Sequence, residues 1–170
     1  MAELQRTFGF AVRTIGLTAE TVVSMGGLKV TPDLALSRFA PESASILILP
    51  GGESRTQGEI VEVSRAVLAV VELHRPLAAI CAATLALAHC GLLNDHLHTS
   101  NSKDFIGQYV PEYRGEKFYR RLPSVRDRGI ITANGLAPFA FAAEIFRELA
   151  PEREHDIAMY EKLYSSGSLD

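Results

Sequence analysis

Cysteine is scarce in this sequence: Cys81 and Cys90 are the only two among 170 residues, too few for a disulfide scaffold. If the stretch between them is helical, roughly nine residues at ~1.5 Å each hold them about 13 Å apart. A bridge needs ~7 Å or less between Cα atoms, so both are expected as free thiols. Cys90 reads as a small buried hydrophobe late in a helix. There is no apolar run long enough to span a membrane, and no internal repeat or low-complexity linker. The net charge of −3 gives no excess of either sign that would call for nucleic acid or a membrane surface as partner. The opening "MAELQRTFGF" lacks signal-peptide and transit-peptide character, so a cytoplasmic location is expected. No histidine has metal-ligand spacing with a partner cysteine or carboxylate, so no structural metal site is expected.

What the sequence does contain is a succession of strand-like and helix-like segments in a chain of single-domain length. Residues 10–18, "FAVRTIGLT", alternate as a strand would. Residues 22–36 read as a short extended excursion around Gly26-Gly27. "ASILILPGG" (44–52) is a continuous apolar run closed by Pro-Gly-Gly, as in a strand buried on both faces. Residues 59–74 place Ile60, Val63, Val67, Val70 and Val71 at helical spacing. Residues 76–80 read as a strand and 82–90 as a helix ended by Gly91. "HTSN" (98–101) is a short extended piece, with Ser102 or Asn101 as cap for a helix over 103–110. Residues 124–135 read as a hairpin around Asp127-Arg128-Gly129. Pro138 opens a helix through Leu149, and residues 152–164 form another with Ile157, Tyr160 and Tyr164 on one stripe. Alternating strands and helices predict an α/β fold: an open, doubly wound, mostly parallel sheet with helices on both faces. Ligands of such sheets bind beyond the carboxyl ends of the strands, where Gly51-Gly52, Cys81 and Thr132–Gly135 all fall.

Cys81 stands where "PLAAICAATLALAHCGLL" (76–93) changes from strand to helix. A residue on so sharp a turn is pushed out at the sheet edge, and small neighbours such as Ala82 and Ala83 permit the turn. The start of the helix favours a thiolate by ~0.3–1 kcal/mol, enough for a usable nucleophile and not a strongly activated one. Gly51-Gly52 lets backbone N–H groups approach a bound oxygen, as an oxyanion hole requires. The bare residues also fit a buried structural thiol and a simple tight turn.

"ILILPGGE" (46–53), "AAICAATLALA" (78–88), "HTSN" (98–101) and "TANGLAPFAFA" (132–142) together resemble the ThiJ/PfpI superfamily. So do 16–18, 25–28 and 32–33, which match the "GLT…MGGL…PD" of a bacterial branch. The resemblance covers about residues 10–150 in order. It implies a flavodoxin-like, class I glutamine amidotransferase-like fold over 1–150, with its first strand missing, followed by a C-terminal amphipathic helix and tail over 151–170. It implies Cys81 as the elbow nucleophile, with Gly51, Gly52 and Ala82 around an anion pocket. Glu53, Asn101, Thr132, Asn134 and Gly135 fall beside that pocket, Asn101 where some members place a histidine.

Departures from the pattern limit the chemistry. Members carry an acidic residue in a loop after the first strand that hydrogen-bonds the cysteine. Here the match begins within the first helix, at "MAELQ", and Glu3 is poorly placed to replace that acid. Protease-like members follow the cysteine with histidine, whereas this chain has Ala82. True glutamine amidotransferases carry a histidine and a glutamate after the last strand, where this chain reads Asn-Gly-Leu-Ala-Pro. Of the histidines only His98 has a claim to the pocket, and if Asn101 faces it, strand alternation turns His98 away. His89 lies about 12 Å along the helix from Cys81, and His74, His96 and His155 sit at element ends or in the tail.

The resemblance implies a cofactor-free cysteine enzyme acting on a small molecule: a reactive carbonyl, by glyoxalase or deglycase chemistry, or a small amide. Two alternatives are a thiol redox sensor on the same fold and an amidotransferase-like protein without a complete dyad. A flavodoxin-like nucleotide binder would need a phosphate loop after the first strand, and that region is absent. A homodimer or higher homo-oligomer is also implied, through the N-terminal edge or the 157–164 stripe.

Overall fold

The computed structural model describes residues 1–52 and 59–167. A short helix α1 (Ala2–Arg6) leads into residues 10–18, whose apolar side chains divide between two cores. Phe10 and Val12 pack into one, Ile15 and Leu17 into the other. The alternation read from the sequence is present in the packing, but the strand is shorter than expected. Only β1 (Ile15–Gly16) forms a ladder, because its partner β4 (Leu34–Ala35) is itself two residues long. Between them β2 (Val22–Val23) and β3 (Lys29–Val30) pair antiparallel around the Gly26-Gly27 turn.

The main sheet comprises β5 (Leu47–Leu49), β6 (Leu77–Ile80), β7 (Ser124–Asp127) and β8 (Ile130–Ala133), in the order β5-β6-β8-β7. β5, β6 and β8 are parallel and β7 is antiparallel to β8. The β7–β8 turn has positive φ at both Arg128 (49°) and Gly129 (78°), as the twist of a tight hairpin demands. Alternate side chains go to opposite faces. Leu47, Leu49, Leu77 and Ala79 join α2 (Glu59–Glu72) and α3 (Thr84–His89), burying Val63, Val67, Val70, Leu85 and Leu87. Ala78, Ile131 and Ala133 join α5 (Pro138–Leu149) and α6 (Glu154–Ser166), burying Phe141, Ile145, Phe146 and Ile157. Each fully buried large aliphatic side chain contributes about 1.5–3 kcal/mol. The chain is thus an α/β fold with helices on both faces of a mostly parallel sheet.

The 157–164 stripe, expected as an association surface, is only partly taken up inside the molecule, and Tyr164 stays 41% exposed. Ile157 is fully buried, Tyr160 meets Phe146 edge-on at 5.0 Å, and Tyr164 stacks on Phe139 at 4.3 Å. Those contacts dock α6 on α5. Among the described residues no helix is long and apolar enough to cross a membrane.

Candidate functional site

Cys81 lies at the carboxyl end of β6, opening a 3-10 turn over Cys81–Ala83 that continues into α3. Its φ is +61°, a left-handed value for a residue with a side chain. Such a conformation costs on the order of 1–3 kcal/mol and persists only where its surroundings hold it. Two glycines make room for it. A Cβ on Gly51 would lie 2.7 Å from Cys81 Cβ, and one on Gly135 would lie 2.9 Å from Cys81 Sγ. The thiol is therefore bracketed by the backbones that follow β5 and β8, where only glycine permits so close an approach.

Among the described residues, Asn101 supplies a side-chain hydrogen bond to the thiol. Its Oδ1 accepts the Gly135 N–H at 2.9 Å, which fixes the amide so that Nδ2 donates to Cys81 Sγ at 3.3 Å. The segment carrying Asn101 precedes helix α4 (Lys103–Tyr109), capped by the Ser102 hydroxyl. It is tied from behind. Thr132 is fully buried, and its Oγ1 accepts the Thr99 N–H at 2.9 Å, so it supports the segment and lines no open space. The Thr99 hydroxyl donates to Leu122 O. Asn134 folds the following turn, its Oδ1 accepting the Leu136 N–H at 2.9 Å. Gly52 continues from Gly51, and Ala82 is buried directly after the cysteine. Glu53 lies outside the described residues.

His98 points the other way, as alternation along 98–101 requires. It is fully buried, with Nδ1 donating to His96 O at 2.7 Å and Nε2 accepting from the Tyr113 hydroxyl at 2.6 Å. Burial holds its imidazole below the usual range, so it is neutral near pH 7. His89 pairs with Glu112 and His96 with Asp95, both away from the thiol. Cys90 sits on the α2 side, its thiol pushed up by burial and donating weakly to Ser64 O. No three histidine, cysteine or acidic side chains among the described residues are grouped to hold a metal.

The sequence reading did not single out two residues beside the elbow, Thr84 and Ser100. The Thr84 hydroxyl donates to Cys81 O at 2.7 Å and meets the Ser100 hydroxyl at 2.7 Å. A threonine one turn after an elbow residue is a local signal for the first bond. Nothing in the sequence indicates the second, which joins positions 16 residues apart.

Comparison with known proteins agrees with this architecture. The sequence profile of the DJ-1/PfpI family matches residues 1–148. The chain is 40% identical over 140 residues to the uncharacterized protease YoaZ of Bacillus subtilis, across 81% of this chain and 66% of that protein. It therefore spans about two thirds of that relative's length. A DJ-1 superfamily protein from Agrobacterium tumefaciens superposes with a TM-score of 0.85 at 36% identity, covering 94% of this chain and 87% of that one. A thiJ/pfpI family protein from Bacillus anthracis gives 0.84 at 33% identity, covering 91% and 73%.

Proposed function

The chain belongs to the DJ-1/PfpI family, and from that premise we propose that it is a cysteine-dependent enzyme of small reactive carbonyls, with Cys81 as nucleophile. The setting of Cys81 carries the reading: a left-handed backbone between Gly51 and Gly135, with an oriented amide donor from Asn101 on its sulfur. In the proposed first step the thiol gives its proton to solvent and Sγ bonds to the aldehyde carbon of an α-oxoaldehyde. The carbonyl π pair moves to oxygen, which takes a proton and completes a hemithioacetal. The backbone N–H groups of Gly51, Gly52 and Ala82 are the proposed donors to that oxygen while it is negative. Net hydration of methylglyoxal to lactate balances without an oxidant or a cofactor.

Reactive carbonyls suit this site better than amides. Cleaving an amide requires a proton on the departing nitrogen, normally from a histidine beside the nucleophile. Among the described residues no histidine hydrogen-bonds Cys81, and His98 faces the opposite side. The name of the Bacillus subtilis relative keeps a small amide as the variant substrate. The absence, among the described residues, of a histidine hydrogen-bonded to Cys81 also supports a second reading, a thiol that senses oxidation.

Incubation with methylglyoxal, following its loss and the appearance of lactate, tests the proposal. Turnover is expected in the parent protein and absent in Cys81→Ala. Equal turnover in both overturns it. No turnover in the parent, with Cys81 converted to sulfenic or sulfinic acid at modest peroxide, replaces it with the sensor reading. The same proposal includes self-association as a homodimer or larger homo-oligomer.

A further inference from the structure

Cys81 is held at two points, its carbonyl and its sulfur, and both holds lead to the same pair of adjacent residues. On the carbonyl side, Thr84 Oγ1 donates to Cys81 O at 2.7 Å, and the Thr84 N–H is directed at the same oxygen. A threonine hydroxyl has one proton, and a carbonyl has none to give. The contact between Thr84 Oγ1 and Ser100 Oγ, also 2.7 Å, must therefore use the proton of Ser100. The bonds run in one direction: Ser100 hydroxyl to Thr84 hydroxyl to Cys81 carbonyl. Thr84 and Ser100 are 0% and 1% exposed, so both hydroxyls are sealed from bulk solvent and are satisfied by each other and by the Cys81 carbonyl. On the sulfur side Asn101, the next residue after Ser100, donates to Sγ.

We propose that Thr84 and Ser100 are positioning residues for the reacting thiol, closing a ring Cys81–Thr84–Ser100–Asn101–Cys81 that sets the Asn101 donor against the sulfur. The left-handed turn at Cys81 aims its side chain, and its carbonyl is the handle by which that turn is held. Ser100 ties this handle to the backbone that carries Asn101. The distance between Nδ2 and Sγ is thereby fixed by the same bonds that fix the turn. Thr132 supports the segment one residue earlier, through Thr99. Successive hydroxyl donors in a buried chain also polarise one another, so loss of Ser100 weakens the Thr84 bond it feeds. The inference rests on Cys81 being the reacting group.

The test is the rate of iodoacetamide alkylation of Cys81 at neutral pH, read by mass on the peptide that carries it. Ser100→Ala is expected to slow alkylation by about two- to tenfold, the share of one neutral hydrogen bond. Thr84→Val is expected to do the same or more, and Thr84→Ser to restore the parent rate. The decisive comparison is made in an Asn101→Ala background, where Ser100→Ala should slow alkylation clearly less than in the parent, because the donor it positions is gone and only the hold on the Cys81 carbonyl is left to lose. Parent-like rates in Ser100→Ala overturn the proposal, as does an equal slowing in the two backgrounds, which would mark a general loss of stability. Ser100→Ala leaves the Thr84 proton on Cys81 O and so remains decisive if Thr84→Val does not fold. Alkylation needs no substrate, so absent methylglyoxal turnover overturns only the carbonyl reading. A parent Cys81 that does not alkylate overturns both.

Discussion

At the scale of single residues, the orientation of one amide determines what Cys81 meets. The Gly135 N–H can only donate, so the Asn101 atom facing it is the oxygen, and the nitrogen is left for the sulfur. A hydrogen bond to a charged partner is worth ~1.5–3 kcal/mol when shielded, less in a side chain as exposed as this one. Asn101→Leu is accordingly expected to slow Cys81 alkylation at neutral pH by about tenfold. Asn101→Asp should slow it more, because a carboxylate beside the sulfur opposes the thiolate. Alkylation kinetics followed by mass check both, and parent rates in the two variants would contradict a role for the amide. Cys81 and Gly51 are legible in the sequence through the strand-to-helix change and the double glycine, and Asn101 only through the resemblance to the family. Ser100 is not, since its partner Thr84 belongs to a different element.

At the scale of elements, the segment 98–101 separates a wet side from a dry one. Asn101 is exposed beside the thiol, while His98 is sealed between His96 O and Tyr113. Burial holds the folded imidazole below the ~6.5 of an unfolded one. Between those values the unfolded chain binds a proton that the native chain does not, so stability rises with pH across the window. Unfolding free energy from urea titration should therefore fall as pH drops below about 6.5. The fall should be shallower in His98→Gln, which cannot titrate; an unchanged pH slope would contradict the assignment. Other element boundaries follow local chemistry. Pro138 begins α5 where the sequence indicates, and Gly91 ends the α3 turn at φ 74°. The 10–18 segment differs because ladder length depends on the partner strand, which local sequence does not reveal.

At the scale of the whole molecule, the two cores leave the 21–31 segment outside. Residues 21–31, containing β2 and β3, are exposed throughout, with Val23, Met25 and Leu28 at 64%, 81% and 71%. A lone two-stranded hairpin is marginal in water, and clustered apolar side chains favour being covered. If the proposed self-association places a second copy of the chain over them, light scattering should give at least twice the chain mass. Val23→Asp combined with Met25→Asp should then shift the protein toward monomer without loss of far-UV circular dichroism. A monomeric parent would contradict self-association through this hairpin.

The sequence by itself determined the α/β class, the helix and strand identities around the sheet and the place of Cys81, because these depend on periodicity and on glycine and proline at turns. Those signals act over a few residues and survive without knowledge of the partner. Tertiary structure alone decided that Gly135 meets the sulfur, that Thr132 supports the 98–101 segment from behind and that Ser100 reaches Thr84. It also decided that Ile157 and Tyr160 of the α6 stripe pack into the core shared with α5 while Tyr164 stays exposed. Each of these joins elements distant in the chain, and short-range hydrogen bonds and close packing specify them only once the sheet has set the register.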